Sequence, residues 1–525
     1  MNATLQLALA DFRERVRRFG FVAIVALAAF LGFQVITGFF QLRLGSYRGV
    51  LNAAWIGTLM ALTLSFFLSL IGFYVTRGNV QRDRQTGVGQ ILAATPMSKL
   101  TYVLAKFASN VGVLLIVVGV LALAALAMLL IHGEDRTLDL AQLWLPFLVF
   151  AVPVALITAG LAVFFECAPL LRGSAGNVIY FFLWLFIMTP LGGDLLAFDA
   201  IERGMTVALQ AQGADYRGGI ALGAGPTVEL QTFYWQGFAW SEVAGARLVY
   251  VAAALVLVAL ASVVFERFGE ESRRRARRSG LLRRVGSRGA PPPAEAGEES
   301  HRPVTSDNTC SARELSSVEA AGTWLGPFAS LVIAEVRLLL KGRPLLWYAG
   351  AAGLLLANLL SSAEAVRGTL LPLVWLWPLL IWSEMGVRGA RYRVDQLLFS
   401  APSPLRSQLP AAWTAGVLLA VVLGSGALVR MLGDPASLPG WVAGALFVPS
   451  LALFLGIATG SERPTQVLLL IGWYLGPLNG LAALDITGAT EAALAQGVPW
   501  LYIAASPVLL GLALLVRRYQ LHAAR

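Results

Sequence analysis

The sequence predicts an all-α polytopic membrane protein, built as two parallel six-helix transmembrane repeats, each preceded by an interfacial helix. Three observations lead there. Of 525 residues, 57% are apolar and only 13% charged, about half the charge of a soluble domain. Mean hydropathy is +0.70. Apolar runs of the ~20 residues needed to cross a ~30 Å hydrocarbon core recur from residue 20 to residue 517. Short patterns also recur in the same order in both halves. The length alone would allow several soluble domains, but the apolar runs exclude that arrangement.

The chain opens on an amphipathic segment in which Leu5, Phe12, Val16 and Phe19 share one helical face with arginines opposite, as in a helix lying in the membrane interface. Residues 1–20 lead into an apolar run without a small-residue cleavage site, so they read as a retained first helix. Spans are expected at 20–40, 52–76, 103–131, 142–166, 174–196 and 243–266, and again at 344–361, 369–386, 410–432, 439–460, 464–485 and 498–517. Arg13, Arg15, Arg17 and Arg18, then Arg77, Arg82, Arg84, Lys99 and Lys106, then Arg172 mark cytoplasmic segments by the positive-inside rule. The intervening loops are acidic or mixed. Both termini are therefore expected in the cytoplasm, Arg517, Arg518 and Arg525 included.

The partition follows: residues 1–266 form the first unit, 267–326 a linker and 327–525 the second unit. The linker runs from Arg273 through Arg288 into Pro291, Pro292 and Pro293 and an acidic patch, too polar to bury a core, and so is expected to be disordered and cytoplasmic. Its basic run at 273–288 can hold anionic lipid headgroups. No aromatic residues interleave these arginines, so nucleic acid is not an expected partner. The formal charge of +10 is assigned to topology.

Three local matches argue for duplication. Asp11 and Arg13 before the first span pair with Glu335 and Arg337 before the seventh. Gln90, Ile91 and Leu92 followed by Pro96 pair with Gln396, Leu397 and Leu398 followed by Pro402 at identical spacing. Pro190 and Gly193 near the outer end of the fifth span pair with Pro477 and Gly480, marking a helix break in each half. An even number of spans per copy relates the halves by an axis along the membrane normal, an arrangement suited to alternating access.

Residues 77–101 are too long for a turn. Val88, Ile91 and Leu92 fall on one helical face, while Arg82, Asp83, Gln85 and Gln90 point elsewhere. Val394, Leu397 and Leu398 repeat the pattern beside Arg391, Arg393, Asp395 and Gln396. Pro96 and Pro402 disfavour helix in the residue before each, so both segments should stop there. Each half thus presents a short amphipathic helix that either lies on the bilayer or docks into a soluble protein.

The run Asn79-Val80-Gln81-Arg82-Asp83-Arg84-Gln85-Thr86-Gly87, then Gln90-Ile91-Leu92-Ala93-Ala94-Thr95-Pro96-Met97-Ser98-Lys99, with Lys106-Phe107 beyond it, resembles ABC-transporter permeases of the type-2 exporter class. The specific match covers residues 77–107; in the second half Arg393 and Asp395 replace Gly87 and Gly89. The chain is similar to two such permease units fused. The resemblance implies that the two loop segments are coupling helices seated in a separate cytoplasmic ATPase, two copies of which would bind ATP and Mg. It further implies export across the inner membrane of a bacterium.

No lysine follows a glycine, so the chain carries no phosphate-cradling P-loop and needs no cofactor of its own. His132, His301 and His522 are scattered, leaving no metal cluster and no histidine-based triad, and enzymatic activity is not expected. Glu166, Glu266 and Glu384 at span ends should snorkel or pair with nearby arginines; Gln34, Asn110, Asn177 and Asn358 should hydrogen-bond between helices. No chain of intramembrane carboxylates or histidines is visible, which disfavours proton coupling. The largest outer loop, 196–242, ends in Phe233, Tyr234, Trp235, Phe238 and Trp240, either an aromatic belt or a lid that could meet an extracytoplasmic partner. A major-facilitator-type secondary transporter and a non-transporting scaffold driven by an ATPase are the alternatives.

Overall fold

The computed structural model describes residues 3–17, 19–189, 196, 198–214, 219–224, 230–238, 240–266, 326–392 and 404–523. It is mostly helical, at 79%. Eight described helices are long and apolar enough to cross a membrane, and the chain divides into two compact units, Met1–Gly286 and Ser287–Arg525. Three further apolar helices, Ile24–Ile36, Ser174–Ile187 and Leu345–Leu360, are shorter. The expected twelve spans thus reduce to eight of full length among the described residues. The basic run 273–288 lies outside them, as do Pro190, Gly193, Arg393, Gln396, Leu397, Leu398 and Pro402.

In the first unit, α1 (Ala3–Val16) and α2 (Phe19–Ile36) lead to strands β1 (Phe40–Leu44) and β2 (Tyr47–Gly49). Helix α3 (Ala53–Thr76) follows and is the most enclosed candidate span, 83% of its apolar window being buried. Asn52 fixes its start: the side-chain oxygen accepts from the Trp55 amide at 2.9 Å and the side-chain amide donates to the Trp235 carbonyl at 2.7 Å. Around α3 pack α6 (Lys99–His132), α7 (Leu140–Pro146) and α8 (Val152–Cys167). A π-helical turn, Phe147–Ala151, joins the last two just after Pro146, which has no amide hydrogen to donate. Helices α9 (Ser174–Ile187) and α11 (Trp240–Val264) complete the bundle, with α10 (Phe198–Ala211) between them in sequence.

The all-α expectation needs one addition. Four short strands form a sheet in the order β3-β1-β2-β4, using β3 (Ile220–Ala224) and β4 (Gln231–Phe233) from the 196–242 loop. Strand β1 pairs antiparallel with β3, Leu42 opposite Leu222, and β2 runs parallel to β4. Leu42 and Leu44 are buried and alternate with half-buried Gln41 and Arg43, the period-two signature of a strand with one covered face. Two of the loop aromatics turn into the core. Phe233 and Trp235 are buried edge-on to Trp55, 5.7 and 6.2 Å between centroids, while Ile201, Met205 and Leu209 of α10 join the same core. Excising the loop would therefore open the core and could not serve as a clean test of a lid.

In the second unit α12 (Pro327–Leu340) precedes α13 (Leu345–Leu360). The span α14 (Ala363–Trp382) begins six residues before the expected 369 and contains a π turn, Val366–Leu370. Next come α15 (Arg388–Tyr392), α16 (Pro404–Met431), α17 (Leu438–Thr459), α18 (Arg463–Trp473) and α19 (Val498–Ala523). Helix α18 passes into a π turn, Tyr474–Leu478, that holds Pro477, and Gly480 takes the left-handed conformation at φ 75°. The expected span 464–485 is interrupted at these two residues, the positions read from the sequence as a helix break. Asp485 just beyond is fully buried and accepts the Thr487 hydroxyl at 2.9 Å and the Thr490 amide at 2.7 Å.

Candidate functional site

The segment between α3 and α6 is two helices, not the single helix expected: α4 (Asn79–Thr86) and α5 (Val88–Ala94). Gly87 separates them with φ 79°, a conformation glycine adopts without a Cβ penalty. Helix α5 ends at Thr95, held extended by the following Pro96, and Ser98 caps α6 by accepting the Thr101 amide at 3.1 Å.

Val88 and Ile91 are 43% and 69% exposed, and Gln90 and Pro96 are exposed beside them. Leu92, expected on the same ridge, instead turns inward and packs on a cluster that includes Val80, Tyr102, Val163 and Phe265.

Beneath this tip lies a polar network that holds α4 in place. Lys106 of α6, 3% exposed, reaches Asp11 of α1 and Asp83 of α4, both at 2.8 Å. Tyr102 donates its hydroxyl to Asp83 at 2.6 Å, and Ser109 donates to Asp11 at 2.5 Å. Asn110 accepts from Arg15 at 2.6 Å and from the Asn79 side chain at 3.0 Å. Arg82 pairs with Glu14 of α1. Asp83 and Arg82, read from the sequence as lying off the apolar face, thus pair with the protein's own helices.

Glu166, at the end of α8, corrects a second expectation. It caps the start of α4, accepting the backbone amides of Gly78, Asn79 (3.2 Å) and Val80 (2.6 Å). These are orphan donors of a helix N-terminus, which also favours negative charge. Arg77, one residue earlier, donates to Asn177 and to the carbonyls of Leu171 and Gly173. Four helices, α1, α4, α6 and α8, thus meet in one network, and α4 cannot shift without breaking charged contacts to the other three.

Helix α1 packs on α6 through the face that carries Ala8, Asp11 and Arg15. Arg15 is 9% exposed and Ala8 is buried, whereas Leu5 is 49% exposed. The reason is chemical: the α6 surface opposite α1 carries Lys106, Ser109 and Asn110, which Asp11 and Arg15 match. Arg13 is exposed.

The second unit places carboxylates around α15 in a comparable manner. Glu335 of α12 meets Arg388 at 3.0 Å, Glu462 beyond α17 meets Arg391, and Glu384 meets Arg343 at 2.7 Å. Arg337, the counterpart of Arg13 in the sequence match, is exposed.

The two inner carboxylates of the N-terminal helices titrate in opposite directions. Burial pushes Asp11 up, but Lys106 and Arg15 outweigh it and hold the carboxyl below its ordinary 3.8. Burial dominates at Glu335 and raises it above 4.5 despite Arg388. Asp11 therefore stabilises the fold above pH 3.8 and loses that contribution as pH falls through its lowered value. Glu335 contributes fully below pH 4.5 and loses stability as pH rises through its raised value. Spin labels at exposed positions 13 and 337 should report this: acidification below 3.8 frees the first label, whereas lowering the pH toward 4.5 further immobilises the second. Parallel responses would show that other groups control both helices.

Sequence reasoning named Lys106 only as a marker of a cytoplasmic segment and as half of a Lys-Phe pair, and it expected Glu166 to snorkel or meet arginines, where it accepts backbone amides. A signal for Lys106 was present, since a lysine within the expected span 103–131 demands compensating charge. Among the described residues no group of three or more His, Cys, Asp or Glu side chains could hold a metal ion. The arrangement is mechanical: an exposed apolar tip on a base fixed by ion pairs. Compared with known protein families the chain matches none, and no curated protein is similar to it.

Proposed function

We propose that the chain is the transmembrane permease subunit of an ATP-driven exporter of the ABC type-2 class, coupled to separate cytoplasmic ATPase subunits through the α4–α5 tip and its counterpart near residue 396. One observation carries this reading: Val88 and Ile91 are exposed on a tip whose base is tied by Lys106, Asp83 and Glu166 to helices of membrane-spanning length. A partner gripping that tip moves α6 and α8 with it. The partner supplies ATP and Mg, and both chain termini lie on its side of a bacterial inner membrane. The sequence resemblance over residues 77–107 names the class of partner.

Substituting Val88→Asp and Ile91→Asp together tests the docking. These side chains are exposed, so stability should change by no more than about 0.5 kcal/mol. The chain purified from native membranes should carry vanadate-sensitive ATPase activity in the same chromatographic peak, and the double variant should lose it while remaining monodisperse. An intact variant complex, or substrate movement in vesicles driven by an ion gradient alone, would overturn the proposal.

A further inference from the structure

The second unit contains a pocket where α12, the 385–389 turn, α16, α17 and α19 converge. Its walls are mixed in a particular way. Leu339, Leu409 and Ile457 supply buried apolar surface, whereas Glu335, Arg388 and Arg517 supply charge. Two guanidinium groups oppose one carboxylate, so the lining carries net positive charge. Glu335 is already engaged through Nη1 of Arg388 at 3.0 Å. Nη2 of the same arginine is buried and has no hydrogen-bond partner. Arg517 holds the Gln520 side chain at 3.2 Å.

A buried guanidinium nitrogen without an acceptor costs free energy, which an anionic oxygen would recover. We infer that this pocket binds an anionic phospholipid, its phosphate on Arg388 and Arg517 and its acyl chains along Leu339, Leu409 and Ile457. The shared chemistry, a phosphate oxygen on arginine, would also suit free inorganic phosphate, but an ion has no use for the apolar walls. Helices α16, α17 and α19, which bound the pocket, are all apolar enough to cross a membrane, so acyl chains are at hand. The lining uses no residue of the 273–288 basic run, and the inference does not depend on ATPase coupling.

Native mass spectrometry of the full chain tests the inference, with phosphatidylglycerol titrated against phosphatidylcholine of the same acyl composition. Phosphatidylglycerol should be retained preferentially. Loss of one charge-assisted contact in Arg517→Gln should weaken that retention about tenfold and leave phosphatidylcholine unchanged. Leu409→Trp, which fills the pocket without touching a charge, should weaken retention of the anionic lipid as well. A diazirine-tailed phosphatidylglycerol should cross-link to peptides containing residues 405–412 or 517–521 in the unsubstituted chain, a readout that survives if a variant misfolds. Equal retention of both lipids, unchanged affinity in both variants, or cross-links elsewhere would overturn the assignment. Displacement by millimolar inorganic phosphate would give the site to a free anion instead.

Discussion

Replacing Glu166 by alanine should release α4 from the bundle. The carboxylate accepts three backbone amides, of Gly78, Asn79 and Val80, and it is 4% exposed. Each amide left without an acceptor costs about 1–3 kcal/mol, so the loss of all three is worth about 3–9 kcal/mol if α4 stays in place. Local opening caps the cost, because α4 and α5 can detach at a lower free energy than the whole unit. Hydrogen exchange over residues 78–94 should therefore accelerate far more than exchange in α3, and the thermal midpoint of the purified chain should fall. Glu166→Gln keeps one carbonyl acceptor and should lose about 1–2 kcal/mol. If α4 keeps its protection in the alanine variant, the cap is not what secures it. Under the proposed function this variant should still bind the ATPase through Val88 and Ile91 yet couple hydrolysis poorly to transport.

The contrast between what the sequence revealed and what it concealed is visible within this same region. Helices such as α3 and α6 were legible because a long apolar window satisfies the membrane by itself, with no reference to any other part of the chain. The end of α5 was legible because Pro96 acts on the residue before it. Features fixed by distant partners were not. Glu166 lies 86 residues from Val80, and nothing local tells a carboxylate that caps a helix from one that meets an arginine. Leu92 packs on Val80 and Tyr102, and Asp83 meets Lys106, partners that no local periodicity names. The sheet was missed for a further reason. Strands of five and three residues, with β3 far along the chain from β1, carry too little periodicity to compete with the helical signal around them. In the second unit, Gln396, Leu397, Leu398 and Pro402 lie outside the described residues, so the match between the two loops rests on their sequence.

Lys106→Met should strongly destabilise the network, and its double variants should reveal why. The ammonium group is 3% exposed and sits between Asp11 and Asp83 at 2.8 Å from each. Methionine fills the volume but leaves two buried carboxylates facing each other without the cation. Removing one partner of a buried ion pair costs about 3–5 kcal/mol, chiefly through the charge left behind. The ion pair itself need not be strongly stabilising, because desolvation offsets much of the attraction. That distinction gives the test. Adding Asp83→Asn to Lys106→Met removes one stranded charge, so the pair of substitutions should cost less than the sum of the two singles, with a coupling of about 1–3 kcal/mol. Thermal or denaturant unfolding of the four proteins measures it, and additive effects would show that Lys106 and Asp83 do not interact energetically. The same cycle separates the anchoring of α1 from that of α4. Lys106→Met should loosen both α1 and α4, since it meets a carboxylate on each, whereas Asp83→Asn should loosen α4 alone and leave the Lys106–Asp11 contact to hold α1.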